Sequence, residues 1–319
     1  MNNGNVLITD HSFASIDTER TLIEAAGARL SVAQCRTEDD VIAAAVDATA
    51  LLVQWAPITE RVLRTLQACR VVVRYGIGVD NIDLAAARRL GVPVANVPDY
   101  CIDEVADHTF ALALALGRQL VATDRRLRGG EWKITPPAPM PAFREMNFVT
   151  LGLGRIGRAV LARARTFGFA PLAYDPNLPD SVFADAGVRR VTLEEGLACA
   201  DVLSLHLPLT AGTRHLLSAE RLSAMRPTAI LVNTSRGGLV DTIALAAALQ
   251  AGNLAGAGLD VFEEEPLAPA HPLRACGNAV LTSHTAWYSE ASVRTLQRLA
   301  AEEVARALRG EPLKNPLGS

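Results

Sequence analysis

The stretch "LGLGRIGRAVLARARTFG" at residues 151–168 decides the fold of this chain. It contains Gly-x-Gly-x-x-Gly, follows a β-type apolar run and opens a helical pattern. The first glycine permits a tight turn, the second lets a pyrophosphate approach the backbone, and the third allows close helix–strand packing. The N–H groups at the start of the helix would attract the anion. The predicted loop residues are Gly152, Gly154, Arg155, Ile156 and Gly157.

The end of the next β-type run indicates which dinucleotide is bound. "APLAYD" ends in Asp175, whose carboxylate can accept hydrogen bonds from a ribose diol and would repel a 2′-phosphate. Pro176 and Asn177 follow, so neither is an arginine or lysine that could bind that phosphate. We therefore predict NAD rather than NADP. The alternative is a structural glycine turn with a surface aspartate.

Composition excludes several classes of protein. The 319 residues are 50% hydrophobic and 20% charged, which is typical of a soluble enzyme, and the length favours two domains. A net charge of −3 without a basic block argues against nucleic-acid binding. No apolar run is long enough for a membrane span, and the N-terminus lacks a secretory pattern. Five scattered cysteines without CxxC spacing predict a cytoplasmic protein with neither disulfides nor a metal site.

Short apolar runs alternate with Ala-rich helical runs, which indicates βαβ units and parallel sheets. The first series is followed by a helical pattern that starts at Asp103, its predicted N-cap, and continues to "RGGEW" at 128–132. Residues 135–143 then contain four prolines and predict a loop that cannot pair in a sheet. A second series starts at Phe148, and a long amphipathic run occupies 289–310. We predict an α/β protein of two domains, with one or both of the connections between them formed by long helices.

Three runs of the second series are followed by side chains that can perform chemistry. Arg236 follows "TAILVNTS", Asp260 and the glutamates 263–265 follow "GAGL", and His284 follows "NAVLTS". The carboxyl ends of strands in an open α/β sheet form one ligand-binding edge. Alone, each of these residues is more often solvated or structural. Together, downstream of a dinucleotide loop, they suggest a shared site.

These residue types suffice for hydride transfer to a 2-oxo acid. The carbonyl oxygen needs a proton donor that titrates near neutrality, which favours His284. A carboxylate on the other ring nitrogen would fix the tautomer and favour imidazolium, and Glu265 could supply it. An arginine fork matches a substrate carboxylate, which suits Arg236. Spacing alone does not choose among the three glutamates.

The chain resembles the D-isomer-specific 2-hydroxyacid dehydrogenases over nearly its whole length. The resemblance implies two Rossmann-like, doubly wound parallel-sheet domains. It places an NAD-binding domain at 99–287, inserted within a flavodoxin-like substrate domain formed by 1–98 and 288–319. It also implies a homodimer through the coenzyme domain. The matching stretches are "RYGIGVDNID" (74–83), "GVPVANVPDYCIDEVADHT" (91–109), "LGLGRIG" (151–157), "AYDP" (173–176), "LSLHLPLTAGTRHLL" (203–217), "LVNTSRGGLVD" (231–241), "GLDVFEEEP" (258–266) and "SHTAWYSE" (283–290).

The resemblance assigns roles to individual residues. Its catalytic arginine matches Arg236, its acid–base matches His284, and its supporting glutamate, directly before a proline, matches Glu265. Backbone N–H groups of the 74–79 loop would bind the substrate carboxylate. The implied substrate contacts are Arg74, Tyr75, Gly76, Ile77, Gly78 and Val79. The implied coenzyme contacts, besides the glycine loop and Asp175, are Thr109, Pro208, Thr213, Thr234, Ser235 and Asp260.

One motif narrows the resemblance. "HTAWYSE" is similar to the C-terminal-binding-protein-like branch, where the tryptophan lines the substrate side-chain pocket, which implies that role for Trp287. A tryptophan packed at the domain hinge is the alternative, just as a strand-end cap is for Asp260. We predict an NAD-dependent dehydrogenase of small 2-hydroxy acids. The rivals are an NAD(H)-sensing protein-interaction module with vestigial catalysis and a methyltransferase that uses the glycine loop.

Overall fold

The computed structural model describes residues 4–318. The chain forms two compact units, Met1–Cys101 with Ser289–Ser319, and Ile102–Tyr288. The second unit is thus inserted between two segments of the first. The roles of these units as substrate and coenzyme domains stay predictions. None of the helices in the described part of the chain is long and apolar enough to cross a membrane.

The first unit contains a six-stranded sheet in the order β13-β5-β4-β3-β1-β2, parallel except where β13 pairs antiparallel with β5. The inner strands are almost fully buried because helices cover both faces, as is typical of parallel sheets. The strands are β1 (Asn5–Ile8), β2 (Arg29–Val32), β3 (Ala48–Val53), β4 (Val72–Arg74), β5 (Val94–Ala95) and β13 (Pro316–Leu317). The helices are α1 (Asp17–Ala25), α2 (Glu38–Ala44), α3 (Glu60–Leu63), α4 (Leu84–Leu90) and α12 (Glu290–Leu308).

The second unit contains a seven-stranded, all-parallel sheet in the order β12-β11-β10-β9-β6-β7-β8. The strands are β6 (Asn147–Leu151), β7 (Ala170–Tyr174), β8 (Arg189–Arg190), β9 (Val202–Leu205), β10 (Ile230–Asn233), β11 (Gly256–Leu259) and β12 (Ala279–Leu281). The helices are α5 (Ile102–Gly117), α6 (Leu120–Arg128), α7 (Arg155–Thr166), α8 (Asp180–Asp185), α9 (Leu193–Cys199), α10 (Ala219–Ser223) and α11 (Thr242–Gln250).

This strand order marks the place where a ligand binds. The chain builds outward from β6 through β7 to β8, then returns to the other side of β6 and continues from β9 to β12. The order therefore reverses between β6 and β9. In doubly wound sheets, ligands bind outside the carboxyl ends of the strands at such a switch point. The glycine loop follows β6, so the sequence motif and the topology indicate the same crevice.

The prediction of a single long helix from Asp103 to "RGGEW" is wrong in two respects. It is two helices, α5 and α6, separated at Gln119, whose φ of 52° is left-handed. The amide of Gln119 donates to the carbonyl oxygen of Ala138 at 2.9 Å and accepts from its N–H at 3.2 Å. This tertiary contact with the proline-rich loop replaces local helix continuation. Asp103 lies in the first turn of α5 rather than at its N-cap.

Candidate active site

The three glycines of the phosphate loop have different spatial surroundings. Gly152 has φ +103°, and a Cβ on it would lie 2.6 Å from the carbonyl oxygen of His206. A Cβ on Gly157 would collide with the carbonyl oxygen of Gly152. A Cβ on Gly154 would meet no described atom within 4 Å. The first and third glycines are therefore required by the fold, whereas the second faces open space, as a pyrophosphate requires.

The start of α7 completes the fit to an anion. Gly154 is its N-cap and supplies no side-chain hydrogen bond to the first turn. The N–H groups of that first turn, including those of Arg155 and Ile156, point out of the end of the helix, and the helix dipole favours negative charge there. Open space and N–H donors thus lie together at the switch point, and they fit a dinucleotide pyrophosphate.

Asp175 lies beside this loop. Its Oδ2 accepts from the N–H of Leu153 at 3.0 Å, and its Oδ1 accepts from the N–H of Asn177 at 3.0 Å. These bonds fix the carboxylate at the carboxyl end of β7. Each carboxylate oxygen has a further lone pair that could accept from a ribose hydroxyl. The geometry is compatible with the ribose contact predicted for Asp175.

The loop after β9 forms the other border of the switch point. Thr213 Oγ1 donates to the carbonyl oxygen of Pro208 at 2.7 Å and accepts from the N–H of Thr210 at 2.8 Å. The two predicted adenosine contacts, Pro208 and Thr213, thus belong to one internally bonded loop. Thr213 uses its hydroxyl to hold the shape of that loop.

His284 and Glu265 form a direct pair. His284 Nδ1 lies 2.7 Å from Glu265 Oε2, and Glu265 Oε1 accepts from the N–H of Phe262 at 2.9 Å. Burial raises the pKa of Glu265. The hydrogen bond and charge of His284, the N–H of Phe262 and the charge of Arg236 outweigh burial, so the pKa is lowered overall. A carboxylate at Nδ1 makes that nitrogen the donor and leaves Nε2 for chemistry.

The backbone at His284 is unusual. Its φ is 55°, a left-handed conformation that is uncommon for residues other than glycine. Its N–H donates to the carbonyl oxygen of Asp260 at 2.7 Å. Such conformations persist where surrounding structure holds them, and they cluster at functional sites.

Asp260 supplies much of that surrounding structure. It is fully buried, and its carboxylate accepts from Thr282 Oγ1 at 2.6 Å and from the N–H groups of Thr285 and Ala286, each at 2.9 Å. These are the contacts of a strand-end cap, so Asp260 shapes the His284 turn with its side chain. His108 on α5, which sequence reasoning missed, forms a hydrogen bond with Thr282, its Nε2 lying 3.0 Å from Thr282 Oγ1.

Arg236 follows β10 in a tightly bonded turn. Asn233 Nδ2 donates to the carbonyl oxygen of Arg236 at 2.8 Å, and Asn233 Oδ1 accepts from the N–H and Oγ of Ser235, each at 3.1 Å. Thr234 Oγ1 lies 2.6 Å from Oγ1 of the buried Thr109, which ties the turn to α5. The turn holds Arg236 where its charge acts on Glu265. The second unit thus brings Arg236, Glu265 and His284 together.

Trp287 packs on the same turn. Its Nε1 donates to the carbonyl oxygen of His284 at 2.9 Å, and its ring makes an edge contact with Tyr288 at 5.7 Å between centroids. Trp287 therefore has a structural contact with the His284 turn. Its predicted role in a substrate pocket stays a prediction.

The predicted substrate loop lies in the first unit, at the carboxyl end of β4. Gly76 has φ +137°, and a Cβ there would collide with the Arg74 guanidinium, which itself lies 5.5 Å from the ring centroid of Trp55. Tyr75 is buried; its hydroxyl donates to Glu19 Oε1 at 2.9 Å and its N–H donates to the carbonyl oxygen of Val53 at 2.8 Å. The N–H of Gly76 donates to the carbonyl oxygen of Arg74 at 2.9 Å. Ile77, Gly78 and Val79 are partly exposed.

The three glutamates, which spacing could not separate, have three different environments. Glu265 pairs with His284, and Glu264 is exposed. Glu263 Oε1 lies 2.5 Å from His215 Nε2. Sequence reasoning missed the His215–Glu263 pair, because 48 residues separate its partners and neither has a distinctive neighbourhood. Among residues 4–318 no cluster of three or more metal-ligating side chains occurs.

A doubly wound sheet with this glycine loop and a histidine–carboxylate pair is typical of dinucleotide-dependent oxidoreductases. Residues 110–286 match the family model described as the NAD-binding domain of D-isomer-specific 2-hydroxyacid dehydrogenases. The chain belongs to this family and is an NAD-linked oxidoreductase acting on CH–OH donors. The predicted family, fold class and cofactor are thereby confirmed, and the methyltransferase alternative is excluded. The narrower branch suggested by "HTAWYSE" stays a prediction.

Relatives and solved structures agree with this assignment. The chain is 42% identical over 258 residues to a glyoxylate reductase of Korarchaeum cryptofilum, covering 80% of this chain and 78% of that protein. It is 36% identical over 288 residues to a D-3-phosphoglycerate dehydrogenase of Methanocaldococcus jannaschii, covering 90% of this chain but 55% of that protein. A crystal structure of D-lactate dehydrogenase from Aquifex aeolicus, complexed with NAD and lactic acid, matches with TM-score 0.88, 27% identity and 99% coverage of both chains.

Proposed function

We propose that the chain is an NAD-dependent D-2-hydroxyacid dehydrogenase that also reduces the corresponding 2-oxo acids. His284 is the acid–base, Glu265 supports it, and Arg236 binds the substrate. The observation that carries this proposal is the 2.7 Å contact between His284 Nδ1 and Glu265 Oε2 in a family that transfers hydride to such substrates.

The residues divide the proton chemistry and the binding between them. When bound, NADH supplies the hydride that adds to the carbonyl carbon. The Nε2 proton of His284 passes to the carbonyl oxygen, and in the oxidative direction Nε2 accepts it back. Glu265 keeps Nδ1 protonated and stabilises the imidazolium. The Arg236 guanidinium pairs with the substrate carboxylate through its planar fork.

Two further assignments extend this proposal. In the first unit, the backbone N–H groups of 76–79 bind a carboxylate. Trp287 lines the side-chain pocket, for which its apolar ring is suited. The relatives' names, glyoxylate reductase and D-lactate dehydrogenase, support a small 2-oxo acid as the substrate.

A steady-state screen tests the proposal. We expect the protein to oxidise NADH with at least one of glyoxylate, pyruvate, hydroxypyruvate and a branched or aromatic 2-oxo acid. NADH should be preferred over NADPH, because Asp175 repels a 2′-phosphate. Tight NADH binding without turnover of any 2-oxo acid would instead support the NAD(H)-sensing interaction module.

We also propose a homodimer through the second unit. Apolar side chains are exposed on α6 and the segment after it, including Leu127 at 54%, Trp132 at 83% and Ile134 at 94%. These three side chains line one groove together with Leu120 and Met140, and clustered exposed apolar side chains are typical of an interface. The double variant Ile134→Glu, Trp132→Glu should be a monomer, and light scattering should give it half the molar mass of the dimeric wild type. Ile243→Glu, at an exposed apolar position on α11, is the control, and a monomeric wild type would refute the proposal.

A further inference from the structure

A second histidine–glutamate pair lies in the second unit, outside the proposed catalytic group. Glu263 Oε1 is 2.5 Å from His215 Nε2, while Glu263 Oε2 accepts from Thr242 Oγ1 at 2.8 Å and from the Thr242 N–H at 3.2 Å. Both carboxylate oxygens therefore have hydrogen-bond partners. The guanidinium of Arg214 adds a nearby positive charge, with Nη2 3.9 Å from Glu263 Oε1. The half-buried Glu263 thus joins two segments that are distant in sequence.

The donors around Glu263 have defined directions. His271 Nδ1 accepts from the N–H of Leu273 at 3.3 Å, which leaves Nε2–H to donate to Thr242 Oγ1 at 3.3 Å. The Thr242 hydroxyl can then donate to Glu263. Burial raises the pKa of Glu263, but bonds from His215 and Thr242 outweigh it and lower the pKa overall. The arrangement requires the carboxylate form, which accepts at both oxygens.

The contacts of Glu263 with His215 and Thr242, called the Glu263 clamp below, hold the loop that borders the dinucleotide crevice. His215 lies in the loop after β9, on one side of the switch point, and has φ +48°. Its N–H donates to the carbonyl oxygen of Gly238, two residues after Arg236, at 2.8 Å. A non-glycine residue is costly in this conformation and needs neighbours that hold it. Glu263 is the side chain that meets the His215 imidazole.

The same short segment also supports the catalytic histidine. Glu263 faces the loop after β9, and Glu265, two residues later, faces His284. The backbone of Phe262 packs so closely on Gly237 that a Cβ at Gly237 would collide with it. Residues 262–265 thus carry two carboxylate contacts with different partners, one to His215 and one to His284.

We propose that Glu263 is a positioning residue for the coenzyme. It acts through His215 to hold the loop after β9 against the bound dinucleotide. This inference rests on the proposed function only in that the loop contacts NADH. Without the contacts of Glu263, the loop after β9 is free to move, so part of the free energy of NADH binding is spent on ordering that loop. Binding of NADH should weaken, while the transition-state contacts of Arg236 and His284 stay intact.

The test compares Glu263→Ala, Glu263→Gln and His215→Ala with Glu264→Gln, which removes the adjacent, exposed charge. We expect Glu263→Ala and His215→Ala to raise the Kd for NADH, measured by fluorescence, and KM for NADH about tenfold. In all variants kcat at saturating NADH should stay within about twofold of wild type. Glu263→Gln keeps one acceptor oxygen and should recover part of the loss, and Glu264→Gln should match wild type.

Several results would overturn the inference. These are an unchanged Kd in Glu263→Ala and His215→Ala, a fall in kcat without a change in Kd, or an equal effect of Glu264→Gln. Melting temperatures identify unfolded variants, for which the milder Glu263→Gln decides the outcome. The Kd needs no turnover, so a wild type that binds NADH but reduces no 2-oxo acid would refute the proposed function and leave this comparison decisive.

Discussion

Replacing His284 with asparagine should lower kcat for 2-oxo acid reduction by about 10²–10⁴-fold, while the Kd for NADH stays within about twofold. Asparagine has no acidic proton to deliver to the carbonyl oxygen in place of the Nε2 proton of His284. Asparagine is preferable to alanine here because residue 284 has φ +55°, a conformation that asparagine tolerates. Stopped-flow and steady-state measurements of NADH oxidation would give kcat, and fluorescence would give the Kd.

Glu265→Gln is the matched variant for this prediction. The amide oxygen can still accept from Nδ1–H, so the ring stays oriented, but the charge that stabilises the imidazolium is gone. We expect a kcat between those of wild type and His284→Asn. Wild-type turnover in His284→Asn with every active substrate would contradict the catalytic assignment, whatever the behaviour of Glu265→Gln.

The second large effect concerns the glycine loop. Gly157→Ala should destabilise the protein by about 1–3 kcal/mol and abolish measurable NADH binding. Its Cβ would collide with the Gly152 carbonyl, so the turn and α7 must move apart. Urea unfolding and NADH fluorescence would measure the two losses.

Gly154→Ala separates folding from binding in the same loop. Its Cβ meets no described atom within 4 Å, so the free energy of unfolding should change little. The methyl group occupies space that the pyrophosphate needs, and the Kd for NADH should rise at least about tenfold. Tight NADH binding by Gly154→Ala would show that the dinucleotide does not approach this glycine.

The sequence predicted the central strands better than the edges of the sheets. The runs that became β6, β9, β10 and β11 are apolar because both faces are covered, and that composition is visible without a structure. The edge strand β8 consists of Arg189 and Arg190, both exposed. No apolar pattern marks such a strand, and it forms because β7 offers a free edge.

Local patterns also failed where tertiary contacts decide the outcome. Around Gln119 the sequence offers only Gly117 as a helix-ending signal, and a single glycine does not by itself end a helix. The break coincides with the contact of the Gln119 amide with Ala138, which the sequence does not reveal. Spacing named Arg236 and His284 but could not choose Glu265 over its neighbours. That choice needed either the family resemblance or the observed contact with His284. The His215–Glu263 pair required the fold itself.

The insertion of one unit within the other has a consequence for the order in which the chain becomes structured during synthesis. All strands of the second sheet lie between Asn147 and Leu281, so that sheet can close before the last part of the chain is made. The first sheet needs β13, whose Pro316 pairs with Ala95, and it needs α12, where Gln297 Nε2 donates to the carbonyl oxygen of Ser15 at 2.7 Å. Contacts over such sequence separations form slowly. We therefore expect the first unit, although its synthesis begins earlier, to complete its fold after the second. The edge of its sheet at β5 stays unpaired until β13 has been synthesised.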